Sequence, residues 1–170
     1  GGTGSIGSNI VDGLLELNPK VIRIYSRDEF KQKELKEKYK YNTKLRFFIG
    51  DVRDLDRLEM ALENVDIVFH TAALKQVDVC EYNPFEAIKT NVLGTQNVIT
   101  ASLKVNVAKV IFISTDKAVN PVNTMGASKL LAEKLILDAN YFKGNRRTTF
   151  SCVRFGNILG SRASVIPIFV

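Results

Sequence analysis

Short apolar runs alternate with helix-length segments along nearly the whole chain. The apolar runs, which we interpret as strands, fall at 21–25, 45–49, 65–69, 109–113 and 149–155. The segments with helical spacing of apolar residues fall at 8–17, 28–40, 55–62, 84–104 and 126–142. Apolar strands separated by helices are typical of a parallel sheet covered on both faces. The alternation therefore predicts a doubly wound, parallel α/β fold.

The length of 170 residues suits one hydrophobic core, and the sequence shows neither an internal repeat nor a Pro/Gly-rich linker. We therefore expect one domain over residues 1–170, as a fragment truncated at both ends. Its glycine motif starts at Gly1, and such a motif should follow a strand, so we expect the first strand to precede Gly1. We expect most of the substrate-binding part to follow Val170. Without that strand, residues 1–170 alone should fold poorly.

Charge and metal-binding residues argue against several classes of protein. The formal net charge is +6, but the lysines concentrate at 31–44 on a predicted solvated helix, so we expect no nucleic-acid partner. No run reaches the roughly 18 apolar residues of a membrane span, so we expect no membrane segment within these residues. His70 is the single histidine, and Cys80 and Cys152 are far apart, so we expect neither a metal site nor a disulfide. Reduced thiols fit a cytoplasmic protein.

The glycines at positions 1, 4 and 7 open the chain with a GxxGxxG spacing before a predicted helix. Such glycines let the chain turn sharply, approach a pyrophosphate with its backbone, and pack a helix on the sheet. The pyrophosphate then meets unpaired N–H groups at the positive end of the helix. The motif predicts a Rossmann-type dinucleotide site, whose contacts we assign to Gly1, Thr3, Gly4, Ser5, Ile6 and Gly7.

The turn after the second strand favours NADP over NAD, with NAD as the alternative. An acidic residue there would bind the ribose of NAD, but Ser26 and Arg27 precede Asp28. A hydroxyl and a guanidinium suit a 2′-phosphate. Alternatively, Arg27 is a solvated turn residue and Asp28 is a helix N-cap. Further cofactor contacts are expected at strand ends, from Asp51, Val52, Ala72 and Ala73.

Several longer motifs carry a resemblance to a known family. They are GGTGSIGS, GDVRD, TAALKQVDVCEYNP, TNVLGT, STDKAVNP, MGASKLLAEK and RFGNILGSR. Together they resemble the CapD-like polysaccharide biosynthesis proteins, which are extended short-chain dehydrogenase/reductases and include UDP-N-acetylglucosamine 4,6-dehydratases. The resemblance implies oxidation of C4 of the sugar by hydride transfer to NADP, elimination of water across C5 and C6, and return of the hydride to C6. The implied substrate is a UDP-sugar.

The resemblance also implies roles for residues just after the strand at 109–113. Lys117 would remove the C5 proton, and Asp116 would protonate the departing C6 hydroxyl, for which its pKa should be raised. Thr115 would bind the 4-hydroxyl. Lys129 would bind the nicotinamide ribose and, as a catalytic residue, lower the barrier to removing the 4-hydroxyl proton. An isolated Asp-Lys pair would more simply be a surface ion pair.

Met125 departs from the family's commoner YxxxK pattern, because it stands where the tyrosine would be, four residues before Lys129. A thioether cannot take the 4-hydroxyl proton, and losing a general base costs roughly 10² to 10⁴ in rate unless another group replaces it. Thr115, Lys129, Lys117 and a bound water are the candidates. Met125 as a core residue is equally compatible with lost catalysis.

The resemblance also implies roles for residues elsewhere in the chain. Asn91 would steady the helix of Lys129 through its backbone. Lys75 would lie near the nicotinamide or the sugar, unless it is a plain surface lysine, and Asn157 and Arg162 would begin the substrate-binding segment. We interpret His70, Cys80, Cys152 and Tyr82 as packing residues.

Three functions stay open at this point. The first is a UDP-N-acetylglucosamine 4,6-dehydratase, including a form that inverts C5, and the Asp116–Lys117 pair favours it. The second is a nucleotide-sugar 4-epimerase, which would not need that pair for elimination. The third is a catalytically silent NADP-binding module, which would explain Met125. A homo-oligomer is a fold-level expectation.

Overall fold

A computed structural model describes residues 1–156, and Asn157 and Arg162 lie outside these described residues. Five strands alternate with helices, as predicted. The strands are β1 (Ile22–Ser26), β2 (Leu45–Ile49), β3 (Ile67–His70), β4 (Lys109–Ile113) and β5 (Thr149–Val153). The helices are α1 (Ser5–Glu16), α2 (Glu29–Lys38), α3 (Leu55–Leu62), α4 (Val77–Tyr82), α5 (Pro84–Ala87), α6 (Gly94–Lys104) and α7 (Thr124–Phe142).

Every strand pairing among the described residues is parallel, which confirms the predicted class of fold. The strands form two sheets, β1–β2 and β3–β4–β5, with Ile22 opposite Leu45 and Lys109 opposite Thr149. A cavity of about 650 Å³ lies between β1 and β3 and is lined mainly by apolar residues of α1, β1, α3 and β3. The strand that we expect before Gly1 stays a prediction.

The segment predicted as one helix over 84–104 has a more complex backbone. It comprises α5, a π-helical stretch at Ile88–Leu93, and α6. Such π-helical stretches widen the turn and occur often at functional sites. The short helix α4 just before it was not predicted.

The main core lies where α3, α6 and α7 cover the sheet that contains β4 and β5. Phe112, Ile99 and Ile136 are its largest fully buried members. A smaller cluster, built around Val11 and Ile24, joins α1 to β1 and β2. No helix among residues 1–156 is long and apolar enough to cross a membrane. The packing of α7 on the sheet fixes the helix that presents the predicted catalytic lysine.

Two neighbouring residues of α7 test this packing. Ile136 is fully buried, whereas Leu137 is 47% exposed. We expect Ile136→Ala to lower the free energy of unfolding by about 2–5 kcal/mol, because it removes buried methyl groups and leaves a cavity. Leu137→Ala should change it by less than about 1 kcal/mol. Urea denaturation of the full-length protein measures the free energy of unfolding of both variants. Equal decreases in the two variants would contradict the described orientation of α7.

Candidate active site

The glycine loop packs closely against its surroundings. A Cβ on Gly7 would come within 2.5 Å of the Gly1 carbonyl oxygen, and one on Gly1 within 2.4 Å of the Ala72 nitrogen. The loop is therefore held against the chain that leaves β3, near Ala72 and Ala73. Helix α1 begins at Ser5, three residues earlier than predicted, so Ser5, Ile6 and Gly7 form its first turn.

The first turn of α1 has no side-chain cap, because its N-cap residue is Gly4. Helices α2, α3 and α7 begin differently, with capping side chains from Asp28, Asp54 and Asn123. An uncapped first turn leaves N–H groups available to an anionic group. The crowded glycines and these amides fit the pyrophosphate of a dinucleotide.

Hydroxyl and acidic groups at the end of β1 are already engaged with one another. The Thr3 and Ser26 hydroxyl oxygens lie 2.7 Å apart, and the Asp28 N–H donates to Ser26 Oγ at 3.3 Å. Asp28 accepts from the Lys31 N–H at 3.0 Å, and hydrogen bonds from Lys31 hold its pKa below the usual value. Asp28 is thus an N-cap, as the alternative interpretation has it, while the exposed Arg27 side chain reaches Asp51.

Asp51 lies between two arginines at the end of β2. Its carboxylate is 2.8 Å from Arg53 Nη2 and 3.4 Å from Arg27 Nη1. Burial raises the pKa of Asp51, but the hydrogen bonds from Arg53 and the charges of Arg27 and Arg53 together outweigh burial and lower it. Arg53 was missed, although its position in GDVRD could have indicated it. Val52 is buried in the main core, where a Cβ on Gly94 would come within 2.7 Å of it.

Asn91 joins the loop after β3 to α7. It is 1% exposed and lies in the π-helical stretch. Its side-chain amide donates to the Leu74 carbonyl at 3.0 Å and to Ser128 Oγ at 2.9 Å, and its side-chain oxygen accepts from the Leu74 N–H at 2.8 Å. Asn91 thus reaches the helix of Lys129 through its side chain, at Ser128, whereas we expected a contact through its backbone. Lys75, the residue after Leu74, is exposed.

His70 extends this network into the core. Thr95 Oγ1 donates to the Asn91 carbonyl at 2.6 Å, so His70 Nε2, 2.9 Å from Thr95 Oγ1, acts as a donor to it. Burial, reinforced by the Lys129 charge, lowers the pKa of His70 to about 3. The neutral, hydrogen-bonded ring agrees with the interpretation of His70 as a core residue.

Lys129 is a buried cation, 7% exposed, on the face of α7 that packs on the sheet. Its ammonium donates to the Ile113 carbonyl at 2.6 Å and lies 4.0 Å from the centre of the Phe112 ring. Burial lowers the pKa of Lys129 to about 8, and the negative charge of Glu133 opposes that decrease. Met125 is also buried, and it packs with Cys80 and Ala87.

The Thr115, Asp116 and Lys117 side chains meet in a 3₁₀ turn, Asp116–Ala118, just after β4. Thr115 Oγ1 donates to Asp116 Oδ1 at 2.8 Å, and Lys117 Nζ lies 3.5 Å from the same oxygen. We expected a raised pKa for Asp116, but this is wrong. The carboxylate is exposed, and the hydrogen bond from Thr115 and the charge of Lys117 lower its pKa.

The predicted cofactor and catalytic residues thus lie at the carboxyl ends of the parallel strands, where doubly wound folds bind their ligands. Among residues 1–156, no cluster of three or more His, Cys, Asp or Glu side chains could hold a metal ion. The parallel strands, the helices between them and the glycine loop that opens α1 define a Rossmann-type fold.

Comparison with known proteins agrees with this class. The family described as polysaccharide biosynthesis protein matches residues 1–170, and the chain belongs to that family. It is 60% identical over 168 residues to an uncharacterized membrane protein of Methanocaldococcus jannaschii, covering 99% of this chain and 50% of that protein.

Two further relatives have named activities. A UDP-N-acetylglucosamine 4,6-dehydratase (inverting) of Campylobacter jejuni is 54% identical, with 99% of this chain and 51% of the relative covered. A UDP-glucose 4-epimerase of Rickettsia canadensis is 49% identical, with 100% of this chain and 51% of the relative covered. The chain therefore spans about half the length of the curated relatives it matches.

Solved structures show the same fold. Pen from Bacillus thuringiensis superposes with a TM-score of 0.98 at 53% identity, over 99% of this chain and 54% of Pen. MoeE5 in complex with UDP-glucose and NAD has a TM-score of 0.78 at 27% identity, over 91% of this chain and 52% of MoeE5.

Two glycines of α1 offer a matched test of the dinucleotide site. Gly7→Ala would force a Cβ against Gly1 and Gly2, whereas a Cβ on Gly13 would meet nothing within 4 Å. We expect Gly7→Ala to weaken NADP binding by about 10-fold or more, equivalent to about 1.4 kcal/mol. Gly13→Ala should leave binding unchanged and stabilise the helix by up to about 1 kcal/mol.

Calorimetric titration of each full-length variant with NADP measures the affinity, and circular dichroism checks that the variant is folded. A folded Gly7→Ala variant with the wild-type affinity would show that the loop does not contact the dinucleotide.

Proposed function

We propose that the protein containing this chain is a nucleotide-sugar 4,6-dehydratase that acts on UDP-N-acetylglucosamine in surface polysaccharide biosynthesis. The hydrogen-bonded Thr115–Asp116–Lys117 turn is the observation that carries the proposal, because it provides a base and an acid at one strand end. The relationship to the Campylobacter jejuni enzyme, whose name specifies the inverting reaction, supports the dehydratase and its C5-inverting form.

The chemistry divides between the cofactor and these side chains. A nicotinamide dinucleotide held by the glycine loop and Lys129 would supply the hydride chemistry, taking a hydride from C4 and returning it to C6. The C4 ketone acidifies the C5 proton. Lys117 takes that proton as the neutral amine, after its ammonium has released a proton to solvent, and the C6 hydroxyl then leaves as water after Asp116 protonates it. If Lys117 returns the proton to the other face of C5, the product is inverted at that carbon.

The low pKa of Asp116 suggests how the enzyme works with Met125 in place of a tyrosine. An ionised Asp116 can receive a proton, and the Thr115 hydroxyl already donates to it at 2.8 Å. We propose that Thr115 takes the 4-hydroxyl proton as it passes its own to Asp116. The protonated Asp116 then gives that proton to the departing C6 hydroxyl, so the proton lost in oxidation leaves in the water.

Arg27 and Arg53 support NADP as the cofactor in preference to NAD. Both guanidinium groups lie at the end of β2, beside Asp51, where a 2′-phosphate could accept their hydrogen bonds. Lys75 and the substrate contacts Asn157 and Arg162 remain proposals, as do a cytoplasmic site of action and a homo-oligomeric state.

The first experiment incubates the full-length protein with NADP and UDP-N-acetylglucosamine in deuterated water, with the product analysed by NMR and mass spectrometry. We expect a 4-keto-6-deoxy sugar with solvent deuterium at C5. Lys117→Met should abolish both dehydration and C5 labelling, whereas Lys134→Met, at an exposed position of α7, should retain them.

Two other outcomes would overturn the dehydratase proposal. A C4 epimer without loss of water would identify an epimerase, the activity named for the Rickettsia canadensis relative. NADP binding without turnover of UDP-N-acetylglucosamine or other UDP-sugars would identify a silent binding module.

The proposed proton route predicts a difference between two substitutions of Thr115. Thr115→Val keeps the shape but removes the hydroxyl, so the single-turnover rate should fall by about 10²–10⁴. Thr115→Ser keeps a hydroxyl and should stay within about 10-fold of the wild-type rate. Single-turnover consumption of UDP-N-acetylglucosamine measures both rates, and a Val variant as fast as the Ser variant would exclude the route through Thr115.

A further inference from the structure

A buried carboxylate lies one helical turn from the predicted catalytic lysine. Glu133 is 4% exposed on α7, four residues after Lys129. Residues four apart lie on the same helix face. An ionised carboxylate in a protein interior is costly unless it is paired and hydrogen-bonded. Neither the dinucleotide contacts nor the Thr115–Asp116–Lys117 turn uses Glu133, so its burial needs another explanation.

Arg154, just after β5, supplies the partner of Glu133. Arg154 Nε donates to Glu133 Oε1 at 2.8 Å, and Arg154 Nη2 donates to the other carboxylate oxygen. Such a two-point contact fixes both the position and the orientation of the carboxylate. Burial raises the pKa of Glu133, but hydrogen bonds and nearby positive charges, chiefly from Arg154, together outweigh burial and lower it. Glu133 therefore stays ionised at neutral pH, and Arg154 holds it in place.

The other groups around Lys129 do not balance its charge. On β4 it contacts a carbonyl oxygen and the Phe112 ring, both of which are neutral. On β3, His70 is neutral because its pKa is about 3. On β5, burial raises the pKa of Cys152 to about 11, so its thiol is also neutral at pH 7. Among the described residues that act on Lys129, Glu133 is the ionised anion.

We propose that Glu133, fixed by Arg154, is a positioning residue that keeps Lys129 positively charged at the carboxyl end of the sheet. The inference rests on the proposed function, in which the Lys129 ammonium binds the nicotinamide ribose. Without the Glu133 charge, only neutral groups would oppose the effect of burial on Lys129, and the amine would become neutral at a lower pH. The nearby cationic Arg154 would then favour that loss of charge.

Glu133→Gln in the full-length protein tests this role, because the amide keeps the shape of the side chain and can still accept from Arg154. We expect the proton affinity of Lys129 to fall about 10-fold, so that its pKa moves from about 8 to about 7. Because the reaction needs the protonated amine, activity should begin to fall at a correspondingly lower pH than in the wild type. NMR titration of the Lys129 ammonium and the pH profile of kcat measure these two shifts.

Two further variants separate charge from structure. Asp138→Asn removes an exposed carboxylate from the same helix and should shift neither readout. Glu133→Gln combined with Arg154→Gln also removes the cation, so the pKa of Lys129 should return part of the way to the wild-type value. If the role of Glu133 were purely structural, both readouts of the double variant would instead depart further from the wild type than those of the single variant.

An unchanged pKa of Lys129 in Glu133→Gln would overturn the inference. The NMR titration needs no sugar nucleotide, so its result is independent of the reaction. If the pKa shifts but UDP-N-acetylglucosamine is not converted, the electrostatic role of Glu133 is supported while the proposed function fails.

Discussion

The site depends on the burial of one positive charge. Packing α7 against β4 and β5 places Lys129 in the interior, where a charged group loses its hydration. The fold compensates by several weak means at once: a carbonyl oxygen, the Phe112 ring and the Glu133 carboxylate. The resulting pKa of about 8 leaves the ammonium mostly charged at pH 7. A small change in any of these groups would therefore change its protonation.

The position of α7 depends in turn on polar contacts with the opposite side of the site. Asn91 satisfies both backbone groups of Leu74 and also donates to Ser128 on α7. Three segments are thus fixed relative to one another by one buried amide: the loop after β3, the π-helical stretch and the first turns of α7. Since buried polar groups are costly when unpaired, this network specifies one arrangement. His70 and Thr95 anchor the same stretch to the core.

The sequence predicted most of the fold because its strands are apolar runs with sharp boundaries. Strands β2 and β4 and helix α3 match their predicted bounds. The start of α1 was placed too late because Gly4 carries no capping side chain, so no residue marks the boundary. Glu133 was missed because a single glutamate in a helix is usually a solvated residue. Its spacing of four from Lys129 was the available signal, but the pairing with Arg154 across 21 positions could not be foreseen.

The ionisation of Asp116 shows why motif-based roles need the structure. An acid that protonates a leaving group is expected to carry its proton before the reaction, which is why a raised pKa was expected. The exposed carboxylate beside Thr115 and Lys117 is instead ionised. An ionised group can act as an acid only after it has received a proton, and oxidation of a hydroxyl at C4 releases one. In the proposed route through Thr115, Met125 in place of a tyrosine and the low pKa of Asp116 have a common explanation, because a single proton passes from the 4-hydroxyl to Asp116.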